Sequence, residues 1–160
     1  MASLAYALDR AAVKKEMDDF LHKGGYIIAN RYATSSMAHQ SAKFKTDKEK
    51  KEYVKWVYEL EYKIHKIPPE NIVIYLHVPW EIGLYLTKNK AVRHYLKGEN
   101  ADIHEKDLVY RKAVEETYLD LTKKTKHWVQ IDCVDEAGNM LAKEIILSKL
   151  LDVLEKNKLL

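Results

Sequence analysis

Cysteine is nearly missing from this chain: Cys133 is the single one in 160 residues. One thiol excludes an internal disulfide framework and suits a reducing compartment, and no Cys/His spacing resembles a zinc site. Cys133 follows a strand pattern and reads as an inert small hydrophobe. Long apolar runs are absent as well. None approaches the length of a membrane span and the N-terminus carries no signal-peptide pattern, so a cytoplasmic protein without a membrane partner is expected. Charge of one sign is also lacking, since 27 Lys and Arg against 24 Asp and Glu leave a formal charge of +3. That is too small and too dispersed to indicate a nucleic-acid partner, while an anionic small ligand stays open. There are no internal repeats and no low-complexity segments. What remains is 47% apolar, enough for a real core in one domain spanning residues 1–160.

Glycine and proline are few, and they punctuate. Leu4, Leu8, Ala11 and Ala12 recur at helical spacing, with Tyr6, Val13, Met17, Phe20 and Leu21 widening the face, which predicts one long helix from Leu4 to Leu21. Gly24-Gly25 stops it. Tyr26 to Ala29 is short and β-prone, the pattern of a buried parallel strand, and Thr34 to Ala42 reads as a short helix capped by Thr34 or Ser35. Asp47 to Ile64 repeats Tyr53, Trp56, Val57, Leu60 and Ile64 at threes and fours, an amphipathic helix capped by Thr46 or Asp47. The stripe of Trp56, Tyr53 and Leu60 reads as core or as a homodimer face.

After Pro68-Pro69 comes the best strand signal, Asn71 to Val78, followed by Pro79 opening a helix over Trp80 to Leu86. Lys88 to Lys97 is basic and poor in large aliphatics, a loop or short helix over a ligand or else a solvated face. Asp107 to Thr122 is a helix with Glu105 and Asp107 as its cap, Trp128 to Asp132 a third strand, and Ala137 to Leu154 a final helix. Strands alternating with helices give a parallel α/β class. His65, His77, His104 and His127 are scattered, and nothing in their spacing supports a metal site.

One stretch gathers polar chemistry. The run from Tyr26 empties into Asn30, Arg31, Tyr32, Ser35, Ser36, His39 and Gln40, and in open α/β sheets ligands sit beyond the carboxyl ends of strands. Tyr6 and Arg10 lie one helical turn apart on one face; on periodicity alone Tyr6 reads as core and Arg10 as a surface charge. Arg31 is read as functional, with a structural ion pair the alternative. His39 is read as a binding residue and not as an acid or base.

The order of Leu4 to Arg10, then Asn30-Arg31-Tyr32, then Ser35-Ser36-Met37-Ala38-His39-Gln40 resembles the thymidylate kinase family of P-loop nucleoside monophosphate kinases. Pro68 to Pro79 matches the family's later strand and turn, and Trp128 to Asp132 its last strand. The resemblance spans essentially the whole chain. It implies ATP- and magnesium-dependent transfer of a phosphoryl group to dTMP, giving dTDP. Tyr6 then stacks on thymine, Arg10 bonds the base's carbonyl edge, and Arg31 bridges donor and acceptor phosphates as a catalytic fork. Ser36 faces the base with Ser35 a further substrate-binding residue, His39 lies beside the sugar with Gln40 at the same rim, and the lid at about 88–104 supplies Lys88, Lys90, Lys97 and a catalytic Arg93.

Two departures from the family pattern stand out. Asn30 occupies the position where the family usually has an Asp near the magnesium, and an amide supplies no negative charge for a cation. The five glycines, Gly24, Gly25, Gly83, Gly98 and Gly138, form no Gly-x-x-x-x-Gly-Lys-Ser/Thr phosphate loop. The family places that loop upstream of the segment resembling Leu4 to Arg10. The expectation is therefore a C-terminal portion of a kinase-like protein, with strands 3, 4 and 5 present and strands 1 and 2 absent. Such a polypeptide is expected to be poorly stable, homodimeric through helices, or complemented by an upstream N-terminal segment. The alternatives are a non-catalytic nucleotide-binding or interaction protein, and a deoxynucleotide kinase with another base preference.

Overall fold

The computed structural model describes residues 2–88 and 108–160. The chain divides into two compact units, Met1–Asn71 and Ile72–Leu160.

The first unit is helical. Its elements are α1 (Ala2–Ala12), α2 (Lys14–His22), α3 (Ala33–Ser41), α4 (Asp47–Tyr58) and a π-helix (Glu59–Ile64) that continues α4. The single long helix expected from Leu4 to Leu21 is interrupted at Val13, which adopts a turn conformation at φ −97° and ψ 3°. Val13 is the one β-branched residue between Ala2 and His22, and its stiff side chain lowers helix propensity there. The stop at the glycine pair follows from hydrogen bonding. Gly24 takes φ +80° while its N–H meets the Leu21 carbonyl and that of Gly25 meets Phe20, a Schellman closure that favours glycine at the left-handed position. A Cβ on Gly25 would collide with the Phe20 ring.

Alanines let the helices approach closely: Ala7, Ala33 and Ala38 are fully buried, with Val57, Leu60 and Ile67 completing the core. Helix α3 packs between α1 and α4 and is buried from Ala33 through Ala38. Its N-cap is Tyr32, without a side-chain cap bond, so Thr34 and Ser35 lie inside the helix and do not cap it. Thr46 does cap α4, in a reciprocal box with Glu49.

Tyr26 to Ala29 is not a strand. A β-prone run becomes a strand only when a neighbour completes its ladder, and the described residues of this unit hold no second strand. Ile28 is 98% exposed and Tyr26 73% exposed. Of the three expected strands, two form.

Those two lie in the second unit, which comprises β1 (Val73–His77), α5 (Trp80–Lys88), α6 (Leu108–Lys124), β2 (Trp128–Asp132) and α7 (Lys143–Lys156). The strands pair in parallel from Val73↔Trp128 to His77↔Asp132, as the α/β reading required. Helices α6 and α7 pack on β2, where Trp128, Ile131 and Cys133 are buried. Tyr75 and Tyr118 stack at 4.7 Å, joining β1 to α6. The last helix begins at Lys143 and not at Ala137. Residues 134–140 instead form a turn in which Gly138 has φ +81°, Asn139 donates to the Asp135 carboxylate and Val134 bridges Met140.

Candidate nucleotide site

The π-helix decides which way Ile64 points. A regular α-helix through Ile64 would bury Ile64, but the segment closes through longer-range bonds, including His65 N–H to the Leu60 carbonyl at 2.9 Å. Adding a residue to the turn rotates the inward face. Ile64 is consequently 68% exposed, whereas Glu61, four residues after buried Val57 and on the inward face of either helix type, is fully buried. In the expected stripe of Trp56, Tyr53 and Leu60, Leu60 is buried, while Trp56 is exposed with its ring 5.5 Å from that of Tyr53.

Buried Glu61 meets Arg10 of α1. Arg10 Nε donates to Glu61 Oε2 at 3.1 Å, and Nη2 donates to the other oxygen. The Arg10 side chain retains 16% exposure while that of Glu61 has none. The guanidinium carbon lies 5.8 Å from the centroid of the Tyr32 ring, within the range of a cation–π contact. Tyr32 is fixed at its far end, its hydroxyl donating to the Pro68 carbonyl at 3.1 Å. Nearby, the Tyr62 hydroxyl donates to Glu70 Oε2 at 2.6 Å. Burial first, and then the Glu70 charge, push both phenols up from their ordinary pKa, so both remain protonated donors.

Arg31 directly precedes Tyr32 and has φ 72°, a left-handed conformation uncommon for a side chain with a Cβ. Its Nε donates to the Ser35 hydroxyl at 2.7 Å, which holds the arginine over the start of α3 while the residue stays exposed. Strained backbone of this kind clusters at functional positions.

Placement of the sequence-derived residues is therefore uneven. Arg10, Tyr32, Arg31 and Ser35 are linked by direct contacts. Tyr6 stands on α1 one turn before Arg10 and is 55% exposed. Ser36 is buried on α3, with His39 and Gln40 half-buried beyond it. Asn30 is exposed in the connecting loop. Lys88 ends α5, whereas Lys90, Arg93 and Lys97, with His104, Glu105 and Asp107, lie outside the described residues.

A second polar cluster sits at the carboxyl ends of β1 and β2, around one of the histidines that looked scattered in sequence. His77 Nδ1 meets Asp132 Oδ1 at 2.8 Å and Nε2 meets Glu115 Oε1 at 2.7 Å. Glu115 also accepts the Trp80 N–H at 3.0 Å, and Gln130 donates to Asp132 at 2.7 Å. Burial opposes charging His77, but the hydrogen bonds that it makes to the Glu115 and Asp132 carboxylates, and their charge, overcome it and raise its pKa. Beside this cluster an open groove of about 310 Å³ is lined by Gln130, Asp132, Lys149, Asp152 and Lys156 among others. Sequence spacing does not reveal the cluster because its members come from β1, α6 and β2. The strand register, His77 opposite Asp132, was the available signal.

A divalent cation held by the protein needs several oxygen, nitrogen or sulfur ligands converging. Among the described residues no three His, Cys, Asp or Glu side chains are placed to hold a metal ion, and Asn30 brings no charge. The described residues do not fit a resident magnesium site. Among them, no helix is long and apolar enough to cross a membrane.

Comparison with protein-family models matches residues 1–144 to the family described as Thymidylate kinase. No curated protein matches the chain.

Proposed function

This chain belongs to the thymidylate kinase family, and on that premise we propose that its first unit binds dTMP as the acceptor in phosphoryl transfer from ATP. The family implies phosphotransferase chemistry in general. The observation that carries the specific reading is a pair of arginines in two separate contacts around Tyr32, Arg10 against its ring and Arg31, its neighbour in the chain, held by Ser35. A nucleoside monophosphate presents two such features, a base with carbonyl oxygens and a phosphate.

In this reading Tyr6, exposed one turn before Arg10, offers its ring to the thymine face. Arg10 donates to the base's carbonyl edge. Arg31 clamps the phosphate through its bidentate fork, with Ser35 fixing its Nε. Ser36 and His39 approach the base and the sugar, Gln40 closes the rim, and Lys88, Lys90, Arg93 and Lys97 belong to a lid segment at about 88–104 of the kinase-like domain. Positioning and electrostatics suffice for this reaction, which needs no covalent intermediate and no strong base.

A second reading, nucleotide binding without turnover by this polypeptide alone, is favoured by Asn30 and by five glycines that form no phosphate-loop pattern. A deoxynucleotide kinase with another base preference is the third. Titration calorimetry with dTMP, dUMP, dCMP and ATP separates them. Binding of dTMP with turnover supports the first, binding without turnover the second, and preference for another base the third. No binding of dTMP contradicts the proposal.

A further inference from the structure

We propose that Glu61 is the positioning residue for nucleobase recognition: buried behind Arg10, it holds that arginine in one orientation before the nucleotide arrives. This inference rests on Arg10 reading the base, as proposed above.

Four observations converge on it. The contact is side-on, through Nε and Nη2, so one edge of the guanidinium is consumed and the Nη1 edge is left for a ligand. Burial is one-sided, since Glu61 has no exposed side-chain surface and Arg10 keeps 16%. The carboxylate forms the back wall and the arginine the face that a ligand can reach. The ring of Tyr32 lies against the guanidinium, so the group is held on an edge by Glu61 and on a face by Tyr32. Finally, the carboxylate stands on a π-helical segment, and π-turns recur at functional sites.

Stability alone is a weak reason for such a pair. A buried ion pair loses so much hydration that apolar residues of equal volume often serve as well. A fixed arginine, by contrast, gives directional discrimination. Its N–H groups match a carbonyl oxygen at the base edge and oppose an exocyclic amino group in the same place, so dTMP is favoured over dCMP.

The test is titration calorimetry of dTMP and dCMP on the full chain, Arg10→Ala, Glu61→Gln and the double variant. The unsubstituted chain is expected to prefer dTMP. Glu61→Gln is expected to reduce that preference about tenfold, as for loss of a charge-assisted hydrogen bond, and to add nothing in the Arg10→Ala background. An undiminished preference in Glu61→Gln, or losses that add in the double variant, overturns positioning by Glu61 and leaves the nucleotide reading standing. A chain that binds neither nucleotide overturns that reading and this proposal with it. Because Glu61→Gln can unfold the unit, the unsubstituted chain supplies a second measurement. The Arg10 Nε–H signal in NMR is expected to exchange slowly with water before dTMP is added and to keep its position afterwards. Rapid exchange without nucleotide overturns the proposal.

Discussion

His77 and Asp132 face each other across the parallel strand pair, register partners whose Nδ1 and Oδ1 atoms are 2.8 Å apart. Glu115 of α6 takes the other imidazole nitrogen at 2.7 Å. A neutral imidazole has one donor, whereas the imidazolium donates to both carboxylates. Protonated His77 is therefore a cross-link joining β1, β2 and α6.

The sign of its pH dependence follows from linkage. The pKa of His77 is raised from 6.5, so its contribution is fully present below that value and is lost as pH rises through the higher folded pKa. The pKa of Asp132 is lowered from 3.8, chiefly by hydrogen bonds from Gln130 and His77. Its contribution is present above that value and is lost as pH falls through the lower folded pKa. With Asp132 57% exposed, solvent screening makes its share small. His77→Gln is expected to destabilise the chain by about 1–3 kcal/mol near pH 5 to 6, and by less near pH 9. Urea unfolding of both proteins at these pH values measures the gap, and a gap independent of pH contradicts the cross-link.

Arg31 is expected to separate stability from binding. Glycine accepts a φ of 72° without steric penalty, so Arg31→Gly should leave the melting temperature unchanged or higher. Affinity for dTMP should fall at least about tenfold, the effect of removing one charged hydrogen-bonding group. Thermal melting and calorimetry on the same preparation check both. Loss of stability together with intact binding would make Arg31 a structural residue.

The Phe20–Gly25 contact offers a prediction on the first unit alone. Gly25→Ala places a methyl group against the Phe20 ring and is expected to lose about 1–3 kcal/mol, as for overpacking. Phe20→Leu in the same chain should restore part of that loss. If Gly25→Ala melts like the unsubstituted chain, the glycine pair is there for conformation only.

Ile28 tests the segment that does not form a strand. At 98% exposure it makes almost no packing contribution in the isolated chain, so Ile28→Lys is expected to change stability by no more than about 0.5 kcal/mol. A loss above about 1 kcal/mol in urea unfolding would show that this run is covered in solution, by a second copy or by another segment.

Where sequence reading succeeded and where it missed has a common physical cause. Trp128 to Asp132 was legible because alternation and flanking turns are local, and the structure forms that strand with those bounds. The Gly24-Gly25 stop was legible for the same reason, as was a cap at Thr46 or Asp47, of which the structure uses Thr46 with Glu49. Tyr26 to Ala29 carries an equally local strand signal, yet strand formation also requires a neighbour, which composition does not reveal. Ile64 was placed inward by α-helical spacing, and the π-turn carries it outward, while Glu61 shares the inward spacing of Val57 but its charge does not mark it as a core position. The Arg10–Glu61 pair joins residues 51 apart in sequence, so no pattern could have paired them. The acceptor-site residues were named from family resemblance, and their order in the chain, not their periodicity, carried that information.

The central claim is that the first unit recognises thymidine monophosphate through Arg10 and Arg31. Titration calorimetry of dTMP against dCMP on the unsubstituted chain tests it most directly. The expected result is saturable binding of dTMP with at least about tenfold preference over dCMP. Equal affinity for the two nucleotides, or no heat with dTMP, would contradict it.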